Sequence, residues 1–474
     1  MTRCASTLFL CALGAFVPGS AARAEVRTVG PGKEFPAPCA AFAAAADGDT
    51  IAIDAAGDYA GDVCAITRSG LTIVGMGGRA HIDAGGKSAQ GKAIWVVQGS
   101  DTTIEHIELS GCVVPDKNGA GIRQEGRNLT VRDCYFHHSE NGILTGANAE
   151  SVILIESSEF ADNGAGDGYS HNMYIGEVKR FTLRGSYSHG ARSGHLVKSR
   201  ALQNDILYNR LSDEGPSSYE LDLPQGGPSV VLGNVFYKSA AAENGAFISY
   251  GRESKRNAGS ALWVASNTFF HTRASATFVA VAPDVGSVTL RNNLFGGAGT
   301  VCDLPQALQE GNLQGDGGLF VDAAGFDFRL RDGSPAVNQG AVAGMGGAES
   351  LSPVCQYAHP AHAVVRNVVG RLDQGAFELG AASIVACGDA EAVDLLDAGV
   401  TPAPDASAPG ELERDDSSVG PAAPVSEVPD SASTSAPKPG DGCRAAPTSS
   451  GATESAVQSL LLCVALLWQR RRRG

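Results

Sequence analysis

The sequence predicts an all-β solenoid, a parallel β-helix of about 8–11 coils. Three observations carry that expectation. First, the strings "IEHIEL", "VRDCYF", "IESSEF", "LRGSYS", "ILYNRL", "VLGNVF", "VASNTF" and "LRNNLF" recur. Their fourth residues are Ile107, Cys134, Ser158, Ser186, Asn209, Asn234, Asn267 and Asn293, with spacings of 27, 24, 28, 23, 25, 33 and 26. Second, alternating apolar pairs such as Val152 and Leu154, Phe181 and Leu183, or Val288 and Leu290 have the period of half-buried strands. Helical periodicity is nearly absent between Leu71 and Phe295. Third, 60 glycines and only 18% charged residues suit a turn-rich β protein.

Residues 1–24 read as a secretory signal. Arg3 supplies the basic region, Leu8 to Val17 the apolar region, and "SAARA" a small-residue cleavage site. The apolar part is too short to span a bilayer. The β-helix domain is expected over residues 25–387. Within it a unit of two or three short strands cannot bury its inward residues alone. Stacking closes the core and pairs each strand with its equivalent in the next coil. The Asn209, Asn234, Asn267 and Asn293 column therefore reads as an amide ladder at a turn. Two residues on lie Leu109, Phe136, Phe160, Leu211, Phe236, Phe269 and Phe295, an internal stack rich in aromatic rings.

Residues 388–441 are rich in Pro, Ala, Ser, Asp and Glu and nearly free of aromatics, which predicts a disordered spacer. Residues 442–474 hold Cys443, the apolar run "AVQSLLLCVALLW" and "RRRR". The run is shorter than the ~17 residues of a comfortable span, and the arginines would remain on the cytoplasmic side.

Of eleven cysteines, Cys4 and Cys11 fall in the signal and Cys443 and Cys463 in the tail. Cys39, Cys64, Cys112, Cys134, Cys302, Cys355 and Cys387 remain. In an exported chain disulfides are expected. Cys39–Cys64 is the favoured pair, and Cys112–Cys134 could join neighbouring coils. The odd number leaves a thiol over. No Cys/His spacing of a structural zinc site appears. The net charge of −15 argues against a nucleic-acid partner.

Over roughly Val26 to Leu379 the chain resembles the right-handed parallel β-helix superfamily called pectin-lyase-like. "CAAFAAAADGDTIAIDAAGDYAGDVC" is similar to its opening coils, and "FDFRLRDGSPAVNQG" with "RLDQGAFE" to its closing segment. The C-terminus resembles the surface-sorting tags of myxobacteria, with Cys443 at the tag's cysteine. That implies a protein secreted or anchored at the outer surface of a bacterium and linked to the cell envelope by its tail. A plain tail anchor is the other reading.

β-helices of this superfamily carry ligands on one outer sheet. Four stretches are candidates for neighbouring strands there: "HNMYIG" from His171, "HLVKSRA" from His195, "SYELDLPQGG" from Ser218 and "AFISYG" from Ala246. Alternation turns Met173, Ile175, Val197, Leu221 and Leu223 inward. It turns Asn172, Tyr174, Lys198, Arg200, Glu220 and Asp222 outward, with His171 and His195 at the edge. Tyr174 and Tyr250 could stack on sugar rings, whereas Tyr219 is expected to face inward. "HLVKSRALQNDILYNRLSDE" is similar to the stretch of β-helix alginate and chondroitin lyases that carries their catalytic lysine, with Lys198 at that position. Where those lyases have an arginine in an "LRHG"-like strand, this chain has the acidic "LDLPQGG". The "RxPxxR" signature of pectate lyases is absent.

These residues suit chemistry on a uronate polysaccharide. A cation such as Arg200 neutralises the carboxylate, a base such as Lys198 takes the C5 proton, and an acid such as Tyr174, His195 or His171 assists the leaving oxygen. Asn172, Glu220, Asp222 and Tyr250 would contact substrate. Calcium held by Glu220 and Asp222 could supply the neutralising charge; no other cofactor is indicated. The leading expectation is a lyase or C5-epimerase acting, as a monomer, on an anionic extracellular polysaccharide. The alternatives are a noncatalytic carbohydrate-binding or adhesive module, and a glycoside hydrolase using Glu220 and Asp222. A salt-bridge ladder, with pairs contributing about 0.2–1 kcal/mol each, accounts for the same charges without any ligand.

Overall fold

A computed structural model describes residues 24–388 apart from 254 and 382. The signal, the spacer and the sorting tail with Cys443 lie outside, or almost wholly outside, the described residues. The described chain is a parallel β-helix. Three parallel sheets of 12, 10 and 10 strands run its length. We call them sheet 1 (Val26–Val29 to Leu308–Glu310), sheet 2 (Ala80–Asp83 to Leu313–Gly315) and sheet 3 (Cys64–Ile66 to Gly299–Cys302). From Thr72–Met76 onward each coil contributes one short strand to each sheet in turn; the coils before it give none to sheet 2. Helix is confined to the seven residues Pro38–Ala44 and one 3-10 turn at Gly317–Leu319 among the described residues.

The predicted columns are in register. Leu109 pairs with Phe136, Phe136 with Phe160, Leu211 with Phe236, Phe236 with Phe269 and Phe269 with Phe295. Ring centroids of Phe136 and Phe160 lie 4.8 Å apart, and those of Phe236 and Phe269 4.6 Å apart. The column has one polar member, Ser188, between Phe160 and Leu211. The asparagine ladder is complete between sheets 1 and 2. The Nδ2 of Asn209 donates to the Oδ1 of Asn234, Asn234 to Asn267 and Asn267 to Asn293, each at 2.9–3.0 Å. Each Oδ1 also accepts the backbone N–H one coil back, at 2.8–3.0 Å. Such bonds satisfy the buried backbone at a corner, where the strand ladders stop.

The core is covered at its first coils and flanked at its far end. Phe42 of the short helix sets its edge on Trp95 at 5.3 Å, closing the first coils. Beyond sheet 2 the closing segment folds back along the outside. Its Arg366 is buried in a pair with Glu378 at 2.9 Å and donates to the carbonyls of Gly375 and Asp373. Disulfides join Cys39 to Cys64 and Cys355 to Cys387. The possible Cys112–Cys134 bridge is not formed: both are buried free thiols, as Cys302 is a partly buried one. Cys112 and Cys134 point into the core, where they pack as small apolar groups.

Candidate functional site

The outer face of sheet 3 carries one continuous column. In register it runs Val96, Arg123, Leu144, Tyr174, Lys198, Asp222, Ser249 and Ala280. Its end members Val96 and Ala280 are apolar, Arg123 adds a cation near one end, and the run from Tyr174 through Lys198 and Asp222 to Ser249 is polar throughout. Lys198 is at the centre of the strand Val197–Ser199 and Arg200 follows directly after its end, on either side of the inward Ser199, and both cations reach the face that carries Tyr174. The Lys198 ammonium lies 3.3 Å from Asp222 and 3.9 Å from Glu253. Arg200 holds the Glu253 carboxylate with both terminal nitrogens, one at 2.8 Å. Its Nε donates to the Tyr174 hydroxyl at 2.8 Å. Glu253, in the loop after the strand Ala246–Tyr250, is the member the sequence reading missed. Only its closeness in space to Arg200 marks it, and no spacing rule predicts that. Arg200 holds its carboxyl below the usual range.

Two imidazoles border this cluster. The rings of His171 and His195 stack at 4.6 Å. Nδ1 of His171 accepts the backbone N–H of His195 at 3.0 Å, and Nδ1 of His195 accepts that of Tyr219 at 3.3 Å. Each neutral ring therefore carries its proton on Nε2. In His195 that atom faces Asp222 at 3.5 Å. Burial, with Lys198 adding repulsion, pushes the His171 imidazole down to about 3. Burial pushes His195 well down too. Both rings are neutral at pH 7 and poor general acids, and of the two only His195 faces Asp222. Burial raises the Asp222 carboxyl against the opposing pull of Lys198.

Three predicted outward residues face inward instead. Asn172 is fully buried, donating to Ser188 at 3.0 Å and to the carbonyl of His189 at 2.8 Å. Glu220 is fully buried, paired with Lys238 at 2.9 Å. Tyr250 is fully buried, its hydroxyl on the carbonyl of Gly227 at 2.6 Å. These three cannot touch a ligand on the sheet surface, and Glu220 cannot join Asp222 around a calcium ion or serve with it as a hydrolase pair. The cause is the same for Asn172 and Glu220. Strands here are only three residues long, and the residue before each turns inward at a corner, so alternation does not extend to it. Leu196 and Phe247 at the equivalent positions are inward as well. Tyr250 is inward because its strand takes its phase from the pairing of Asp222 with Ser249. Tyr219, expected inward, is half-exposed and tilts over His195 with ring centroids 5.1 Å apart.

A second ionisable cluster lies on sheet 2, where sequence reasoning looked only for structural columns. His189 sits between Glu159 at 3.1 Å and Glu214 at 3.3 Å and stacks on Tyr187 at 4.1 Å. Arg210 lies over the Tyr187 ring. A cleft of about 520 Å³ opens beside it, lined by Tyr187, Arg210, Glu214, Tyr237, Phe326 and His359. Alternation applied to "YSH" would have turned Tyr187 and His189 outward together. Burial lowers His189, but the hydrogen bonds to Glu159 and Glu214 outweigh it and raise the group to about 9. Clefts of about 500–710 Å³ also line sheets 1 and 2 and the closing segment, and none is lined by Tyr174, Lys198, Arg200 or Asp222.

Fold and site together define a parallel β-helix protein with an ionic cluster on one outer sheet. No protein-family model matches the chain, and no curated protein does. Among solved structures it is similar to the crystal structure of pectate lyase Pel9A. Identity is 15% and the TM-score 0.49, over 76% of this chain and 97% of that one. It is also similar to the alginate lyase from Paenibacillus sp. str. FPU-7. There identity is 13% and the TM-score 0.41, over 61% of this chain and 98% of that one.

Proposed function

We propose that the outer face of sheet 3 takes up an extracellular, uronate-containing polysaccharide and that Lys198 removes the proton on C5 of a bound uronate. One observation carries the reading: Lys198 and Arg200, two residues apart, converge on one carboxylate, that of Glu253. A uronate carboxylate in that place would meet the same cations. Arg200 then neutralises it, which acidifies the neighbouring C–H. Asp222, 3.3 Å from the Lys198 nitrogen, holds it in place, and the base in this step is the amine form of the lysine. Tyr174 accepts a hydrogen bond from Arg200, so its own proton is free for the leaving oxygen. Collapse of the carbanion with loss of that oxygen gives a lyase; return of the proton on the opposite face gives an epimerase.

A noncatalytic reading draws on one fact: Asp222 stands 3.3 Å from Lys198 and pairs with it in the resting protein. The test is to incubate the purified protein with alginate, pectate and glycosaminoglycans and follow unsaturated uronate. A product that disappears in Lys198→Ala supports the lyase. Binding without product or C5 exchange, weakened in Arg200→Ala, identifies a binding module. Product that persists in Lys198→Ala removes Lys198 as the base.

A further inference from the structure

We propose that His81, Glu108 and His137 form a zinc-binding site on the outer face of sheet 2, separate from the Lys198 cluster of sheet 3. The three residues come from consecutive coils, on the strands Ala80–Asp83, Ile107–Ser110 and Tyr135–His137. Parallel pairing sets His81 beside Glu108, and Ser110 beside His137. Nε2 of His137 lies 3.0 Å from Oε1 of Glu108, and Nε2 of His81 lies 3.7 Å from it. All three donor atoms lie within 4.8 Å of one another. Bonds of about 2.0–2.2 Å in a tetrahedron require donors about 3.3–3.6 Å apart. The side chains therefore need to shift by only a few tenths of an ångström to about 1 Å.

The surroundings favour a metal over a simple ion pair. Nδ1 of His137 is 2.7 Å from Nδ1 of His138. A His137 bound to metal through Nε2 keeps its proton on Nδ1 and donates it there, the outer hydrogen bond that metal-bound imidazoles make. The ring is further held by stacking on Tyr135 at 4.3 Å. His81 now shares a hydrogen bond with the Ser110 hydroxyl at 2.8 Å, which aims Nε2 across the sheet and which zinc would replace. Two imidazoles and one carboxylate suit Zn²⁺, and Cu²⁺ or Ni²⁺ would compete for the same donors. The side chain of His81 is 43% exposed and that of His137 16%, so one side of the site stays open for water or an outside ligand. A bound ion would also tie three coils together.

The experiment is a zinc titration of the purified, chelator-stripped protein, without a histidine tag, against a chromophoric competitor. Melting is recorded with and without zinc. The expected result is one site with a Kd of about 10 μM or tighter and a zinc-dependent rise in melting temperature. His137→Ala and Glu108→Gln should each weaken binding at least about tenfold while melting like wild type in chelator. His106→Ala, whose ring pairs with Asp133 elsewhere, should bind as wild type. Should His137→Ala fail to fold, His81→Gln at the most exposed ligand carries the test. No binding tighter than about 100 μM, or binding unchanged in His81→Gln and His137→Ala, overturns the proposal.

Discussion

Lys238 shows how far a single residue can depart from the pattern. It sits inward on the strand Val235–Lys238, fully buried, with Glu220 at 2.9 Å and the carbonyl of Ser218 at 2.8 Å. Burial, with Asp213 adding repulsion, raises the Glu220 carboxyl to about 8 even against the pull of Lys238. Removing one partner of such a pair leaves a buried ionisable group alone. Lys238→Met should therefore cost about 3–5 kcal/mol in denaturant unfolding, and the double variant with Glu220→Met much less. Equal losses in the two would show that the pair contributes nothing as a pair. His189 makes a prediction in pH. Its pKa is about 9 in the folded protein against an ordinary 6.5, so the folded state binds the proton more tightly. Its stabilisation is complete below pH 6.5 and is lost as pH rises through 9. Glu214 runs the other way: burial opposes its charge, but His189 and Tyr187 outweigh it and lower the group to about 2, so its share is lost only as pH falls from 4.5 towards 2. The melting gap between wild type and His189→Asn should be widest at pH 4.5–6.5 and should shrink towards pH 9. A gap that grows above pH 7 would contradict the assignment.

At the scale of the element, corners rather than strands decide where sequence patterns succeed. The Asn209–Asn293 column was legible because one residue type recurs at a fixed place in four successive units. Asn267 illustrates the chemistry: its Nδ2 donates to the carbonyls of Val231 and Ala265 and to Asn293, and its Oδ1 accepts from Asn234. Asn267→Ala strands several buried groups and should cost at least about 2 kcal/mol. A loss under half that, measured by denaturant unfolding, would mean water replaces the amide. The column of Tyr174, Lys198 and Asp222 was equally legible, since all three sit at the centre of their strands. Asn172 and Glu220 were misplaced because each stands one residue before a three-residue strand. Period-two reasoning needs a strand longer than that to carry it to the end.

Across the whole molecule, the parallel β-helix was readable from spacing because each coil repeats the same packing problem, whereas a unit of two or three strands left the number of sheets open. What lies outside the repeat was not readable. The Cys355–Cys387 bridge, the buried Arg366–Glu378 pair and the loop that brings Glu253 to Arg200 join residues with no periodic relation. The repeat supplies the scaffold, and the proposed chemistry rests on what a few coils place on the outer face of sheet 3. On this account that chemistry is removal of the C5 proton of a bound uronate by Lys198. The most direct measurement is proton exchange at C5 in heavy water, followed by NMR on alginate, pectate and glycosaminoglycan substrates. The account predicts deuterium at C5, or elimination from it, with wild type on at least one substrate and neither with Lys198→Ala. Exchange at the same rate in Lys198→Ala, or none with wild type on any of these polymers, would contradict it.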